Sequence, residues 1–561
     1  MTVTPPDAPR VPPEEQVGDL AEGEQPAVPA ARTPPAELPK EPRNFLARAA
    51  LLTAAFSVAG AVLGLVRDQA LARLFGAGAE TDAFLVAWTV PEFASTLLIE
   101  DGLAFALIPA FSLALARRAR GAAGDPVRAL VARTLPRLTL VLAGVAAVVV
   151  AAAPYLVAAL APGLDDPALA VDCTRLAAVC VIGFGLAGYC SAALRAHRRY
   201  LAPAAIYVAY NTGIITAMFV LGGHWGVRSA AIGVAVGSLL MVAVQVPSLV
   251  RQLRGRRPAG PPAGAAEPEP AVGLALVATI LLFALCRQSQ VLIERFLASH
   301  LPSGAISHLN YAQKVAQIPM TLSLMLVTVT FPVVARALAD GDTERARSRV
   351  ERDLALATCM VLFGGAAVVA CAPQIVELLF QRGAFTAADT AVTASVMRVY
   401  ALGLLAQTLV GALIRSYFSS GRPTWYPLGA MALGIVATAW IGAWAVGPWG
   451  VSGIAAANAA GITVTAVLLL AGTRSRGVVP IRRRAVLAEL SRPVRAALVA
   501  TAAGAFAASL PGSPLLGLLA GAVVVTVVFV LIGAALGAQG CAPAVSSVRS
   551  ATRRLRHALS R

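Results

Sequence analysis

The sequence predicts an all-α polytopic membrane protein with about 14 transmembrane helices, arranged as two pseudo-symmetric six-helix lobes followed by two C-terminal helices. Three observations carry this. The 561 residues are 58% hydrophobic and only 13% charged, with a mean hydropathy of +0.73, outside the range of ordinary soluble domains. The charge is gathered into short clusters between apolar runs of about 20 residues, the length that crosses a hydrocarbon layer as helix. No segment shows the strict alternation of a membrane strand.

Along the chain, residues 1–43 are rich in Pro, Glu and Ala and lack the apolar residues of a core, so they read as a disordered tail. They do not begin as a signal peptide does, with positive charge followed at once by an apolar run. Six spans then follow at 45–66, 83–110, 138–161, 168–194, 201–222 and 227–250, making an N-lobe over 44–254. The Pro-, Gly- and Ala-rich stretch 255–271 reads as a linker. Six more spans at 272–299, 305–334, 354–380, 390–414, 425–446 and 450–472 make a C-lobe over 272–475. Within 476–537, the basic segment 482–495 has Val486, Leu487 and Leu490 at helical spacing and reads as an interfacial helix drawn to anionic lipid. Spans at 493–511 and 514–537 follow it, and 538–561 is a basic tail.

The two lobes carry a faint repeat. The second span holds Pro91 and Pro109, and the eighth holds Pro319 and Pro332, each ending in an Arg-rich turn. Pro-interrupted helices in corresponding positions of two halves are a transporter pattern, because broken helices present backbone groups to a central pathway. The turns after odd-numbered spans are short, as in Pro162–Pro167 and Gly447–Gly450, and leave no room for a soluble catalytic domain. All but nine of the 46 Lys and Arg residues precede the first span or follow even-numbered ones, which predicts both termini on the cytoplasmic side. The net charge of +17 is therefore topological and implies no nucleic-acid partner. Seven cysteines lack paired or metal-ligand spacing and read as small apolar residues, with no metal site.

The nine remaining cations are Arg67, Arg73, Arg175, Arg228, Arg287, Arg295, Lys314, Arg382 and Arg398. A charge at mid-membrane costs at least about 2.5–3.5 kcal/mol, so each needs a partner or a watery cavity. Arg67 and Asp68 admit two accounts. Either the first span ends there and they snorkel to the interface, or the helix runs on past Arg73, with Arg67 facing a cavity and Asp68 or Asp82 as its counter-charge. A guanidinium in such a cavity suits an anionic phosphate. Lys314 sits with Asn310, Gln313 and Gln317 on a segment too polar to face lipid. Glu294 and Arg295 form a second adjacent pair, read either as interfacial or as a cation or proton site. The turn Leu379–Phe385, flanked by Arg382 and Arg398, reads as structural.

Several motifs at consistent spacing over roughly 50–475 give the chain a family resemblance. They are Leu63-Gly64-Leu65-Val66-Arg67-Asp68, Phe75-Gly76-Ala77-Gly78, Thr81-Asp82-Ala83-Phe84, Asn310-Tyr311-Ala312 with Lys314, and Leu379-Phe380 with Arg382, Gly383 and Phe385. On them the chain resembles the MurJ (MviN) lipid II flippases, relatives of the MATE exporters. The resemblance implies a cationic cavity between two lobes, a bacterial plasma-membrane location, and a groove for a lipid tail formed by the last two helices. It also implies outward movement of a polyprenyl-diphosphate-linked peptidoglycan precursor by alternating access. By this resemblance the cavity positions are Arg67, Asp68, Asp82 and Lys314, with Arg73, Asn211, Arg295, Asn310 and Gln313 as supporting polar groups. Glu294 stands for the acid of the seventh span. No cofactor is implied, while coupling to membrane potential or a monovalent cation is, and cell-wall synthesis proteins are candidate partners. Two cations common in the family are replaced by Ala61 and Ser95, and the Asn or Asp expected in the eleventh span has no counterpart between Trp425 and Val446. The alternatives are a flippase for another polyprenyl-diphosphate glycan, a MATE-like organic-cation exporter, a glycosyltransferase using Glu80 and Asp82 to hold a metal, and a precursor-binding scaffold.

Overall fold

The computed structural model describes residues 43–100, 102–120, 124–254, 274–340, 342–418, 424–473 and 481–541. The expected linker and, apart from Arg43 and residues 538–541, both expected tails lie outside them. The chain divides into two units, Met1–Leu46 and Ala47–Arg561. Only residues 43–46 are described in the former, and the stretches read from the sequence as N-lobe and C-lobe, which keep those names here, lie in the latter from Ala47 on.

The described residues form helices and no strands, as a chain in hydrocarbon must when it satisfies its backbone within each segment. The N-lobe comprises α1 (Arg43–Phe75), α2 (Ala79–Ala87), α3 (Thr89–Ser95), a π-turn (Thr96–Glu100), α4 (Gly102–Ala119), α5 (Pro126–Leu160), α6 (Pro167–Ala178), α7 (Cys180–Ala196), α8 (Leu201–Ala204), α9 (Ile206–Trp225) and α10 (Arg228–Arg254). The C-lobe comprises α11 (Leu274–Ala298), α12 (Ala305–Ala316), α13 (Ile318–Ala339), α14 (Thr343–Ala370), α15 (Ala372–Phe380), α16 (Ala387–Ala401), α17 (Leu404–Phe418) and α18 (Tyr426–Gly472). The last pair is α19 (Arg483–Ser509) and α20 (Pro514–Ala535), which pack on each other and on α14 and α15.

Each of the 14 stretches read as a span carries helix where it is described. Among the described residues nine helices are long and apolar enough to cross a membrane, or ten if Ala387–Ala401 and Leu404–Tyr417, bent by 46°, count as one span. Several boundaries differ from the sequence reading; α1 runs on to Phe75 and α14 starts at Thr343 instead of 354. The helix α5 starts at Pro126 instead of 138, because Asp125 caps it by accepting from the N–H groups of Val127 and Arg128 at 3.1 and 3.3 Å, with proline at the first turn. The eleventh and twelfth spans run together as α18 and turn at Gly450, whose φ of 52° departs from helix. The interfacial segment 482–495 and the thirteenth span are one continuous helix, α19, with Pro493 accommodated inside it.

The second and eighth spans break in matching places. Pro91 has no N–H to give the Ala87 carbonyl, and the helix breaks at Trp88, between α2 and α3; Pro319 stands in the same relation to Val315, and the break falls at Gln317, between α12 and α13. The first break lies beside the other lobe, where Lys314 Nζ is 5.7 Å from the Trp88 ring centroid. Packing inside each lobe relies on small residues. A Cβ at Gly213 on α9 would lie 2.8 Å from Gly237 Cα on α10, so only glycine permits that approach.

Candidate functional site

Of the nine cations left over from the basic clusters, six have no place between the lobes. Arg73, Arg175, Arg287, Arg382 and Arg398 are exposed, and Arg228 pairs with Asp172 at 2.8 Å. Arg67, Lys314 and Arg295 remain, and they form two clusters.

The first cluster settles the two accounts of the Arg67 and Asp68 pair. The helix α1 continues to Phe75, so Arg67 lies two turns inside its end, and it faces the lobe interface. Its Nε and Nη2 donate to Asp68 Oδ1 at 3.1 and 2.8 Å, while Nη1 donates to Asn211 Oδ1 on α9 at 3.1 Å. Asn211 is fixed in turn, because its Nδ2 donates to the carbonyls of Gly60 and Tyr207 at 3.1 and 2.9 Å. Lys314 reaches across from α12 and places Nζ 3.1 Å from both oxygens of Asp68. Both cations lie over the ring of Trp88, Arg67 Cζ at 4.5 Å and Lys314 Nζ at 5.7 Å from its centroid. Phe84, Leu85 and Met218 complete the cavity wall. Two cations around one carboxylate leave a local charge of one positive unit beside an aromatic surface, a setting that favours an anion.

The second cluster adjoins the first through Leu85 and is lined by Glu92, Glu294, Arg295, Asn310 and Gln313. Glu294 is buried and accepts from the hydroxyl of Tyr400 at 2.8 Å and from Nδ2 of Asn458. The next residue, Arg295, turns toward the other lobe, where Nη2 meets Glu92 Oε2 at 2.9 Å and Nη1 donates to Thr89 Oγ1. Sequence reasoning does not single out Tyr400, Asn458, Glu92 or Thr89. Asn458 is legible in principle, as an amide in the run Ala455-Ala456-Ala457-Asn458-Ala459-Ala460 where nothing else is strongly polar. An amide from the twelfth span thus meets Glu294, where the resemblance places one in the eleventh.

Asp82 occupies a third place and does not reach Arg67. Its Oδ2 accepts from Gly304 N–H at 2.7 Å, and its Oδ1 accepts from Ser307 N–H at 2.7 Å and from the Ser307 hydroxyl. These partners belong to the turn before α12 and to its first residues, so the carboxylate clasps one lobe to the other. The backbone beside it does the same: Ala384 N–H donates to Arg73 O at 2.9 Å, and Tyr311 Oη to Gly76 O at 3.4 Å. Arg73 therefore contributes its carbonyl, and its side chain is exposed. The turn Leu379–Phe385 is an interlobe contact as well as a bend. Gly383 has φ +66° with its Cα against Arg73 O, and Gly304 has φ +94° against Ala77 O, so each needs glycine for conformation and for space. The metal-holding pair of Glu80 and Asp82 does not form, since both Asp82 oxygens are occupied by N–H and O–H donors. No group of three or more His, Cys, Asp or Glu suited to a metal occurs among the described residues.

Asp82 is 3% exposed and Asp68 is 5% exposed, and Gly163 N–H donates to Ser299 Oγ across the lobes at 3.4 Å beside the clasp; Glu100, at the end of the π-turn, is exposed and accepts from Ser95 Oγ at 3.3 Å and Tyr207 Oη at 3.4 Å. The side holding the turns after odd-numbered spans is closed, and the charged clusters lie behind it.

A profile of the family described as "Lipid II flippase MurJ" matches residues 71–516. The chain belongs to the MurJ lipid II flippase family. It is accordingly a multi-pass membrane transporter of a bacterial plasma-membrane family and not an enzyme. Asp82, Glu294 and Lys314 fall within the matched residues, and Arg67 and Asp68 shortly precede them. The chain is 27% identical over 451 residues to the lipid II flippase MurJ of Burkholderia cenocepacia, an alignment covering 77% of this chain and 84% of that one. Its fold is similar to a MurJ lipid II flippase in an inward closed conformation, with TM-score 0.67 at 17% identity over 86% of this chain and 98% of the other. It is also similar to an inward-facing multidrug MATE transporter, with TM-score 0.60 at 14% identity over 78% and 99%. The MurJ and MATE folds are thus shared at the level of helix arrangement.

Proposed function

We propose that the chain carries lipid II, the polyprenyl-diphosphate-linked peptidoglycan precursor, from the inner to the outer leaflet by alternating access. The observation that carries this reading is the Arg67, Asp68 and Lys314 cluster: an anion-seeking site held jointly by both lobes, in a chain of this family. A diphosphate crosses hydrocarbon only if its charge is offset on the way, and a guanidinium and an ammonium converging on one cavity offset it. A MATE-like exporter of organic cations calls instead for a cavity with negative charge in excess. Both termini are cytoplasmic by the distribution of Arg, so the closed side faces outward and the cavity awaits substrate from the inner leaflet.

Glu294, held by Tyr400 and Asn458, is the position for coupling to a monovalent cation or proton. Membrane lipids contact the outer helix faces, and proteins of cell-wall synthesis are the expected neighbours. One observation favours a second reading, a flippase for another polyprenyl-diphosphate glycan: Ala61 and Ser95 stand where many family members carry arginine. Complementation decides between them. The wild-type gene is expected to rescue cells depleted of their own flippase, and Arg67→Ala to abolish the rescue. A wild-type protein that is well expressed and does not rescue would exclude lipid II.

A further inference from the structure

Two ion pairs cross between the lobes, and they are related by the repeat. Asp68, on the first span of the N-lobe, meets Lys314 on the second span of the C-lobe at 3.1 Å. Arg295, on the first span of the C-lobe, meets Glu92 on the second span of the N-lobe at 2.9 Å. In each case the adjacent residue on the first span is bound inside its own lobe, Arg67 by Asn211 and Glu294 by Tyr400 and Asn458. The same device occurs twice with the charge signs exchanged.

The Asp68 and Lys314 pair lines the proposed substrate site. The other pair has no such role assigned. We propose that Arg295 and Glu92 are positioning residues for transport, forming a second interlobe latch that holds the outward side closed and must part each time that side opens. The latch rests on the flippase reading for its place in a cycle, although its geometry does not depend on the substrate.

Arg295 is 6% exposed and Glu92 is intermediate, so separating them leaves a guanidinium without its counter-charge in a poorly solvated interface. Arg295 also donates to Thr89, whose hydroxyl donates to the Val86 carbonyl at 2.7 Å. Thr89 and Glu92 flank Pro91 just after the helix break at Trp88. The guanidinium therefore grips the second span where its backbone is interrupted, the point at which that span can bend. Pairing of Lys314 with a phosphate would free Asp68 and leave the Arg295 pair intact. The closed side then stays latched while substrate binds.

The test uses the full chain in lipid nanodiscs with Ser299→Cys as reporter. Ser299 is 4% exposed and lies against Gly163 of the other lobe, so it becomes reactive only when the closed side parts. The rate of maleimide labelling is measured on monodisperse protein, with labelling of the parent without the added cysteine subtracted. Glu92→Gln and Arg295→Gln are each expected to raise the rate at least fivefold. The exchanged pair, Glu92→Arg with Arg295→Glu, is expected to return it to within twofold of the reporter alone. Unchanged rates in both single variants overturn the proposal, as does an exchanged pair that labels as fast as the singles. Labelling needs no lipid-linked substrate, so a wild-type protein that fails complementation while showing the expected rates counts against lipid II and for the latch. Flat rates in a protein that complements count against the latch alone.

Discussion

Asp82→Ala tests whether the carboxylate clasp holds the closed side. In the closed state Asp82 accepts from the N–H groups of Gly304 and Ser307 at 2.7 Å each and from the Ser307 hydroxyl. Hydrogen bonds to a charged group contribute about 1.5–3 kcal/mol each, and removing the acceptor strands buried donors. Against this stands the cost of burying the carboxylate without a cation beside it, which is several kcal/mol and disappears with the substitution. Water entering the vacated space recovers part of the rest. A net loss of about 2–3 kcal/mol remains, which moves the closed-to-open ratio by roughly thirty- to a hundred-and-fiftyfold. The two turns to watch are those of Asp165 in the N-lobe and Arg382 in the C-lobe, both exposed. Spin labels at Asp165→Cys and Arg382→Cys report their separation by pulsed electron resonance in nanodiscs. Cys173, Cys180, Cys190, Cys359 and Cys371 are buried, which disfavours labelling at them. The parent is expected to give a short distance, and Asp82→Ala to transfer population to a longer one. An unchanged short distance in a well-folded variant would refute the clasp.

Three further outcomes follow from the same geometry. Arg67→Lys keeps the charge but cannot bond Asp68 through two nitrogens and Asn211 through a third, so complementation is expected to fall as it does for Arg67→Ala; growth equal to the parent would show that charge alone suffices. Glu294→Gln keeps an acceptor for Tyr400 and removes the charge, so the protein is expected to stay monodisperse and transport in proteoliposomes to lose its response to a monovalent-cation or proton gradient. Equal responses in variant and parent would remove Glu294 from coupling. Gly304→Ala places a Cβ 2.7 Å from Ala77 O at φ +94°, and a strained backbone position of this kind costs about 1–3 kcal/mol. The same spin-label pair should shift toward the longer distance, and its silence would mean that the turn relaxes freely.

The fold is legible in the sequence because its determinants are local and one-dimensional. Apolar length sets each span, and Pro91 and Pro319 set the breaks. The site is legible only in part, for a physical reason. Arg67, Asp68 and Lys314 stand out because a charge in hydrocarbon demands an account. Which partner answers it depends on contacts between residues more than 200 positions apart, as between Asp82 and Gly304 or Glu92 and Arg295. Opposite sign alone places Asp82 with Arg67, whereas its actual partners are backbone N–H groups that no sequence pattern displays. Gly383 reads as a bend because its conformation is a local property, and its contact with Arg73 is not.

Charge balance between the lobes sharpens what transport requires of this chain. In the two charged clusters three cations, Arg67, Arg295 and Lys314, face three carboxylates, Asp68, Glu92 and Glu294, and the ion pairs among them close at 2.8–3.1 Å, with Asp82 apart on N–H and O–H donors. With Ala61 and Ser95 in place of arginines, no surplus of cations is stored inside. Under the proposed function, a diphosphate entering this site competes with Asp68 for its two cations, taking Lys314 and part of Arg67. Asp68 then keeps only what remains of its bonds to Arg67, and its cation from the other lobe has gone over to the substrate. Re-pairing Asp68 requires either proton uptake or movement of the lobes that admits water. In a chain with balanced charge, substrate binding under that reading therefore loosens the Asp68–Lys314 tie while the Arg295–Glu92 pair still holds, so opening needs the second pair to part as well.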